Sequence, residues 1–176
     1  SRNNQLLRTE KERFIIMLYI AYGSNMNKYQ MSVRCPHAKP LGAYYLDGWR
    51  LVFRGVADIM KDKNARVPIV LWDITKECEQ NLDRYEGVPR LYRKVKLYKD
   101  KTEYLTYLMN STSFALPPQP YYEGIEDGYR HFFKKDFSKA KVFLEDALGY
   151  TEHSKPMGFG GHYPLRFKGK PIKYSH

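Results

Sequence analysis

The chain has 176 residues, a mass of 20.9 kDa and a formal net charge of +11. A hydrophobic fraction of 43% and an aromatic fraction of 15% supply enough apolar side chain for one core, which excludes an intrinsically disordered chain and favours a single domain. No apolar run approaches the length of a membrane span, and the N-terminus lacks the apolar stretch of a signal peptide.

The positive charge is concentrated near the two ends of the chain. Residues 151–176 hold five basic side chains and one acid, Glu152. No groove-reading or RNA-stacking motif accompanies the charge, so nucleic acid is not an expected partner, and an anionic small substrate fits the charge equally well. A nucleic-acid-binding protein that uses this basic tail is kept as an alternative. No membrane partner is expected, and the chain is expected to be a monomer or a homodimer.

The cysteine content bears on metals and on cellular compartment. Cys35 and Cys78 are the two cysteines, too few for a disulfide scaffold and without the spacing of a zinc site. The sequence therefore predicts no metal site and a reducing, cytoplasmic location.

The first half of the chain reads mainly as strands. Residues 1–16 are polar and aperiodic, and we interpret them as an N-terminal extension or a remnant of cloning, with Met17 as a candidate natural start. The apolar run 17–22 predicts a buried strand, and residues 27–35 predict a short helix that stops before Pro36. Further strands are expected at residues 41–53, 55–60 and 67–74, with a hairpin turn at Asp47-Gly48.

The second half adds helices. Thr75 is expected to cap a helix that runs to about Tyr85. Two strands, 91–98 and 103–109, should pair across a polar turn, and the proline-rich segment 110–120 should be a loop. Apolar residues at helical spacing then predict two helices, followed by a tail at 151–176. The order favours an α+β fold over residues 17–150, a curved sheet or small mixed β-barrel flanked by helices.

Two short motifs could carry chemistry. Tyr22-Gly23-Ser24-Asn25-Met26 joins the first strand to a helix, and backbone N–H groups in such a turn can converge on an anion. Gly23 would allow close approach and a positive φ. The alternative is an ordinary turn in which Asn25 or Asn27 caps the helix.

The second motif is the end of the helix that Thr75 begins. Glu86 lies just before Gly87, at the end of a helix where the dipole disfavours a carboxylate. Apolar neighbours could desolvate Glu86 and raise its pKa towards that of a general base, and Asp83 could push it the same way. The alternative is a solvated surface glutamate. Tyr122, after the proline-rich loop, is either a pocket phenol or a core aromatic.

Together these residues resemble the γ-glutamyl cyclotransferase-like (AIG2-like) family. The resemblance covers residues 17–148 and is strongest where members share a set of short motifs. These are Leu18-Tyr19-Ile20-Ala21-Tyr22-Gly23-Ser24-Asn25-Met26, Arg34, Pro36, Val70-Leu71-Trp72 and Leu82-Asp83-x-Tyr85-Glu86-Gly87-Val88.

The resemblance implies a fold, a reaction and a site. The fold is a small mixed-strand barrel with helices around it. The reaction is attack of a γ-glutamyl α-amine on its own γ-carbonyl, which yields 5-oxoproline and an amine or amino acid and needs no cofactor. Glu86 would be the general base, and the substrate-binding residues would be Ala21, Tyr22, Gly23, Ser24, Asn25 and Tyr122. A non-catalytic member that binds a ligand or partner in the same pocket is the alternative.

Overall fold

The computed structural model describes residues 16–154. Its strands are β1 Met17–Ala21, β2 Lys39–Phe53, β3 Ala57–Ile74, β4 Tyr92–Lys99 and β5 Thr102–Met109. They form one five-stranded sheet in the order β2-β3-β1-β5-β4. The central strand β1 pairs antiparallel with β3 and parallel with β5. This mixed, curved sheet flanked by helices confirms the predicted α+β class.

The helices follow the predicted order. They are α1 Lys28–Arg34, α2 Lys76–Tyr85, α3 Gln119–Phe133 and α4 Phe137–Ser154, and a 3₁₀ turn at Ser24–Met26 precedes α1. The predicted cap of α2 is confirmed, because the Thr75 hydroxyl accepts a hydrogen bond from Cys78 N at 3.1 Å. The side chain of Asn27 caps α1 in the same way, at 3.0 Å from Gln30 N. Each cap satisfies an N–H group that has no partner within its helix.

The predicted hairpin turn at Asp47-Gly48 is wrong. Gly48 has a φ of +83°, but it lies inside β2 at a register shift between Asp47 and Trp49, where β3 bulges and places its residues 62–65 opposite this single glycine. The chain reverses instead at residues 54–56, where Gly55 also has a φ of +83°. A left-handed glycine serves a bulge as well as a turn, so the dipeptide alone did not distinguish them. The predicted strands 55–60 and 67–74 are accordingly one strand, β3.

The last helix continues beyond the predicted end of the domain at residue 150. Thr151 is fully buried, and its hydroxyl accepts a hydrogen bond from Phe53 N at 2.9 Å. Residues 151–154 therefore belong to α4 and pack on the sheet. The predicted N-terminal extension, apart from residue 16, and the rest of the basic tail, residues 155–176, lie outside the described residues.

A disulfide joins the two cysteines. Cys35 directly follows α1 and Cys78 lies in the first turn of α2, with their Cα atoms 5.1 Å apart. The cysteine count did not anticipate this pairing, and the pairing removes the cysteine-based support for a reducing compartment. The cytoplasmic location stays a prediction. Within residues 16–154, no helix is long and apolar enough to cross a bilayer.

Candidate active site

A cavity of about 190 Å³ opens where the end of β1 meets the β2–β3 turn, the end of α2 and the start of α3. Both predicted motifs contribute to its wall. Its lining residues are Tyr19, Tyr22, Gly23, Ser24, Asn25, Val56, Ala57, Tyr85, Glu86, Leu91, Tyr92, Tyr107 and Tyr121. The fold therefore brings Glu86 and residues 22–25 into one enclosure, although they are distant in sequence.

The turn after β1 lines the cavity through residues 22–25. Ala21, which was also expected at the pocket, is buried in β1 and is not a lining residue. A Cβ atom on Gly23 would lie 3.0 Å from the Cβ atom of Ala57, so a larger residue would require Ala57 to shift by a few tenths of an ångström. The φ of Gly23 is −117°, so of the two properties that glycine would allow here, the structure uses the close approach and not a positive φ.

Ser24 and Asn25 start the 3₁₀ turn. The N–H groups of Met26 and Asn27 bond back to the carbonyl groups of Gly23 and Ser24, each at 3.0 Å. The N–H groups of Ser24 and Asn25 precede these closed turns and have no acceptor within the helix. Because Asn27 performs the capping, Asn25 is left for the cavity.

Glu86 is positioned by the way in which α2 ends. Gly87 follows it with a φ of +62°, a conformation that glycine adopts without a steric penalty. Val88 N bonds to the Asp83 carbonyl at 3.0 Å, and Gly87 N bonds to the Arg84 carbonyl at 3.2 Å. This pair of bonds defines a Schellman motif. It satisfies the last carbonyl groups of the helix and fixes the backbone from which the Glu86 side chain enters the cavity.

The carboxyl group of Glu86 has a raised pKa. Burial raises the pKa to about 7, while the Arg34 charge and a hydrogen bond from Asn25 act in the opposite direction. Asp83, which was expected to raise it further, is occupied elsewhere: its carboxylate pairs with Lys94 at 2.8 Å and accepts the Tyr107 hydroxyl at 2.6 Å. Desolvation alone therefore accounts for the raised pKa.

Asn25 connects the turn to the carboxyl group. Its Nδ2 atom donates to Glu86 Oε1 at 3.1 Å and to the Tyr19 hydroxyl at 2.9 Å. Its Oδ1 atom accepts a hydrogen bond from Arg34, which also donates to the Ser24 hydroxyl at 3.2 Å. Since a guanidinium group only donates, it forces the oxygen of the amide to its side and the N–H groups towards Glu86. Arg34 thus sets the orientation of Asn25.

Phenol groups make up much of the remaining wall. The tyrosines concerned are Tyr19, Tyr22, Tyr92, Tyr107 and Tyr121. Burial is the largest cause that raises the pKa of each of them, so all stay protonated at neutral pH. Most of these hydroxyl groups are bonded within the wall: Tyr92, for example, donates to the Ala57 carbonyl at 2.8 Å.

The first turn of α3, which follows the proline-rich loop, presents Tyr121, rather than Tyr122, to this cavity. The Tyr121 oxygen accepts a hydrogen bond from Ala57 N at 3.0 Å, and the Ser24 backbone also bonds to it. Tyr122 lines a second cavity of about 440 Å³ between the start of α3 and α4, and its ring packs 6.2 Å from that of Phe53. Neighbouring helical residues point about 100° apart. A one-residue difference therefore sends the two rings to different cavities.

Sequence reasoning gave no role to several residues of the site. Arg34 matched the family pattern but had no predicted role. Its role in orienting the Asn25 side chain can be recognised only from the folded arrangement of the two residues. Tyr85 and Tyr92 also line the cavity. No group of side chains within residues 16–154 is arranged to hold a metal ion.

Comparisons with known proteins show the family and the fold of the chain. Residues 19–129 match the family model described as gamma-glutamyl cyclotransferase, AIG2-like. No curated protein sequence matches the chain. The fold resembles a solved gamma-glutamyl cyclotransferase, with a TM-score of 0.62, 22% identity and coverage of 85% of this chain and 94% of that one.

Two further solved structures share the fold. One is an uncharacterized protein from Homo sapiens, with a TM-score of 0.61, 23% identity and coverage of 76% of this chain and 98% of that one. The other is YkqA from Bacillus subtilis, with a TM-score of 0.59 and 25% identity, where this chain is covered to 89% and the YkqA chain to 60%. Because the family match spans more than half of the sequence, the chain belongs to the gamma-glutamyl cyclotransferase, AIG2-like family.

Proposed function

We propose that this protein is a γ-glutamyl cyclotransferase with Glu86 as its general base. One observation carries the proposal: a largely buried carboxyl group with a pKa of about 7 shares a small cavity with the N–H groups that start a 3₁₀ turn. When the pKa of a base is near the working pH, about half of the molecules carry it in the ionised form, and that form is basic enough to accept a proton. A site built only for binding has no need of such a group.

The chemistry needs one proton acceptor and a correctly folded substrate. The Glu86 carboxylate removes a proton from the α-ammonium group of a γ-glutamyl compound, and the amine attacks the γ-carbonyl carbon. The new C–N bond closes the five-membered lactam as the bond to the leaving nitrogen breaks. Protonated Glu86 returns its proton to that nitrogen. The attacking nitrogen sheds a second proton on closing the ring, and the released amine leaves as an ammonium ion.

The enzyme's main contribution is orientation. Nucleophile and electrophile belong to one molecule, and well-oriented intramolecular attack reaches effective molarities of roughly 10⁵ M or more. The N–H group of Asn25, joined by that of Ser24 if the substrate displaces its bond to the Tyr121 oxygen, would hold either the oxyanion that develops on the γ-carbonyl or the α-carboxylate of the substrate. A single oxyanion donor is typically worth about 3 kcal/mol. Tyr22 and Gly23 would shape the floor, and Tyr121 would lie beside the bound anion.

The test replaces the Glu86 carboxylate with an amide of nearly the same shape that cannot act as a base. Glu86→Gln should abolish release of 5-oxoproline from γ-glutamyl substrates, as measured by mass spectrometry over a panel of leaving groups. Glu77→Gln is the matched control, because Glu77 lies on the same helix and outside the cavity. Turnover that persists in Glu86→Gln would refute the assignment of the base.

The alternative is a non-catalytic protein that binds a ligand in the same cavity. It predicts that γ-glutamyl compounds bind, as seen by calorimetry, while none of the panel yields 5-oxoproline. Lactam formation by the wild-type protein that is lost in Glu86→Gln would exclude that alternative.

A further inference from the structure

Ala57, the first residue of β3, fixes the position of two phenol groups in the cavity wall. Its N–H group donates to the Tyr121 oxygen at 3.0 Å, and its carbonyl group accepts the Tyr92 hydroxyl at 2.8 Å. Its Cβ atom also lies against Gly23, where an added Cβ atom would be 3.0 Å away. A shift of Ala57 would therefore move both phenols relative to the turn at residues 22–25.

A buried ion pair flanks Ala57 in the turn between β2 and β3. The Arg54 Nε atom is 2.8 Å from Asp58 Oδ2, and the two side chains are 8% and 5% exposed. Arg54 N also closes this turn by bonding to the Val56 carbonyl at 2.8 Å. Neither member of the pair is among the described residues that line the cavity, so the pair supports the wall without facing the cavity.

The same ion pair holds two further segments of the chain. Asp58 Oδ1 accepts a hydrogen bond from Met109 N at 3.0 Å, at the end of β5. Arg54 Nη1 donates to the Thr112 carbonyl at 2.8 Å, and the guanidinium carbon lies 4.7 Å from the centre of the Phe114 ring. The loop that carries these last two residues leads into α3. The pair thus joins the turn between β2 and β3 to the segment that precedes α3.

The main contribution of this ion pair is to geometry rather than to stability. Burial removes water from both charges, and because this cost offsets much of their attraction, a buried ion pair adds little net stability. Its bonds to Met109 and Thr112 end on backbone groups, which fixes the main chain of both segments. Removing either charge would leave the other buried without a partner, and the segments around it would have to rearrange.

A second buried ion pair on the same two strands provides a comparison. Arg50 in β2 bonds through Nε to Asp62 in β3 and through Nη1 to Asp146 in α4, each at 2.9 Å. The Arg50 side chain is 11% exposed, close to the 8% of Arg54. Among the described residues, neither Arg50 nor its two partners nor their chain neighbours line the cavity, whereas the Arg54 pair flanks Ala57, which does.

We propose that Arg54 and Asp58 are positioning residues of the candidate active site. Their ion pair holds Ala57 so that its N–H group keeps Tyr121 beside the turn at residues 22–25. Neither charged side chain touches the substrate. The inference rests on the proposed function, in which Tyr121 lies beside the bound anion. Disturbing the pair should therefore slow lactam formation, and it should do so through Tyr121.

The experiment measures kcat/KM for release of 5-oxoproline from one γ-glutamyl amide by the full-length protein. Arg54→Gln combined with Asp58→Asn replaces the ion pair by a neutral pair and leaves no buried charge without a partner, so this double variant should fold. Its kcat/KM should fall by about 10- to 100-fold, because a displacement of about 1 Å at the reacting groups costs up to about 100-fold.

The matched control makes the same exchange in the second ion pair, Arg50→Gln combined with Asp62→Asn. Because this pair lies away from the cavity, its exchange should keep kcat/KM within about twofold of the wild-type value. Both double variants are assayed at temperatures where circular dichroism shows them folded. A fall in kcat/KM that is confined to the Arg54 pair therefore reports on the site and not on folding.

A double-mutant cycle with Tyr121→Phe tests how the effect reaches the site. Tyr121→Phe removes the oxygen to which the Ala57 N–H group bonds. When the neutral pair is added to Tyr121→Phe, kcat/KM should fall by no more than about threefold beyond the loss from Tyr121→Phe itself, whereas independent structural damage would multiply the two losses. Arg54→Lys keeps the positive charge beside Asp58 and provides a milder second variant for the same cycle.

The outcomes separate this inference from the proposed function. Equal losses of kcat/KM on exchange of the Arg54 and Arg50 pairs, or losses that multiply with that of Tyr121→Phe, would overturn the positioning role and leave the cyclotransferase intact. Wild-type activity in the Arg54→Gln, Asp58→Asn variant would have the same consequence. Absence of lactam from every γ-glutamyl compound with the wild-type protein would overturn both.

Discussion

Asn25 donates a hydrogen bond to Glu86 across 61 positions of sequence, with its Nδ2 atom 3.1 Å from Oε1. This contact joins the turn after the central strand to the end of α2. It places the candidate base beside the candidate anion site in a single enclosure, and it ties the protonation state of the carboxyl group to the orientation of one amide.

The activity should depend on the ionisation of Glu86. Burial raises the pKa of this carboxyl group to about 7, and only its ionised form accepts a proton. The kcat/KM should therefore rise with pH through about 7 with a slope of one and level off above it, so that activity at pH 5 is about 100-fold below the plateau. A profile measured with one γ-glutamyl amide that stays flat from pH 5 to 8 would contradict the role of Glu86.

Arg34, which donates a hydrogen bond to the Asn25 side chain, should also influence the dependence of kcat/KM on pH. Its charge lowers the pKa of Glu86, so Arg34→Met should move the midpoint of the kcat/KM profile to higher pH and cost more activity at pH 6 than at pH 9. Arg34→Lys keeps the charge but not the forked hydrogen bonds to Ser24 and Asn25. It should lower the plateau with little movement of the midpoint. Equal losses at every pH in Arg34→Met would reduce Arg34 to a structural role.

The sequence predicted which two segments line the cavity better than it predicted the contacts around them. Glu86 stood out as a carboxylate at the unfavourable end of the helix dipole, an end marked by the glycine after it, and the family resemblance then favoured a general base over a solvated surface glutamate. The turn at residues 22–25 followed from a buried strand that runs into Gly-Ser-Asn. Both signals are local, because they depend on the backbone chemistry of adjacent residues.

The features that the sequence left open depend on contacts between distant residues. The choice between Tyr121 and Tyr122 depends on the rotation of α3, which packing decides. The orientation of Asn25 depends on Arg34, and the pairing of Cys35 with Cys78 depends on how α1 approaches α2. The position of Gly48, opposite a bulge in β3, looked like a turn because glycine with a positive φ suits both.

The buried carboxyl group should cost stability at neutral pH. The pKa of Glu86 in the folded protein, about 7, exceeds the ordinary value of 4.5, so the folded state binds more protons between these values and wild-type stability falls as the pH rises through them. Glu86→Gln stays neutral and can still accept the hydrogen bond from Asn25. Urea denaturation should show this variant more stable than wild type at pH 8, by up to about 3 kcal/mol, and nearly equal at pH 4. Lower stability of the variant at pH 8 would contradict the burial.

The disulfide should contribute to global stability. It closes a loop with a sequence separation of 43 residues, which in the chain-entropy model corresponds to about 4 kcal/mol. Reductant should therefore lower the urea midpoint of the wild-type protein and leave that of the Cys35→Ser, Cys78→Ser double variant unchanged. Titration of thiols in denaturant should find none before reduction. Free thiols at that stage would show that the bond is not formed.

The two neighbouring tyrosines at the start of α3 give the sharpest test of which ring belongs to the site. Tyr121→Phe removes the oxygen that accepts the Ala57 N–H at 3.0 Å and leaves that group without its partner, at a cost of about 1–3 kcal/mol in stability. It also removes a polar group beside the N–H groups of the turn, so kcat/KM should fall by about 100- to 1,000-fold, in line with the loss of one hydrogen-bonding group at a developing anion.

Tyr122→Phe makes the same chemical change one residue later, in the second cavity, and it should change kcat/KM little. Thermal denaturation of both variants separates a loss of folding from a loss of function, because the fall expected for Tyr121→Phe should persist at temperatures where that variant is fully folded. The opposite ranking, with Tyr122→Phe the more damaged enzyme, would return the role to Tyr122 and would mean that α3 is rotated when substrate is bound.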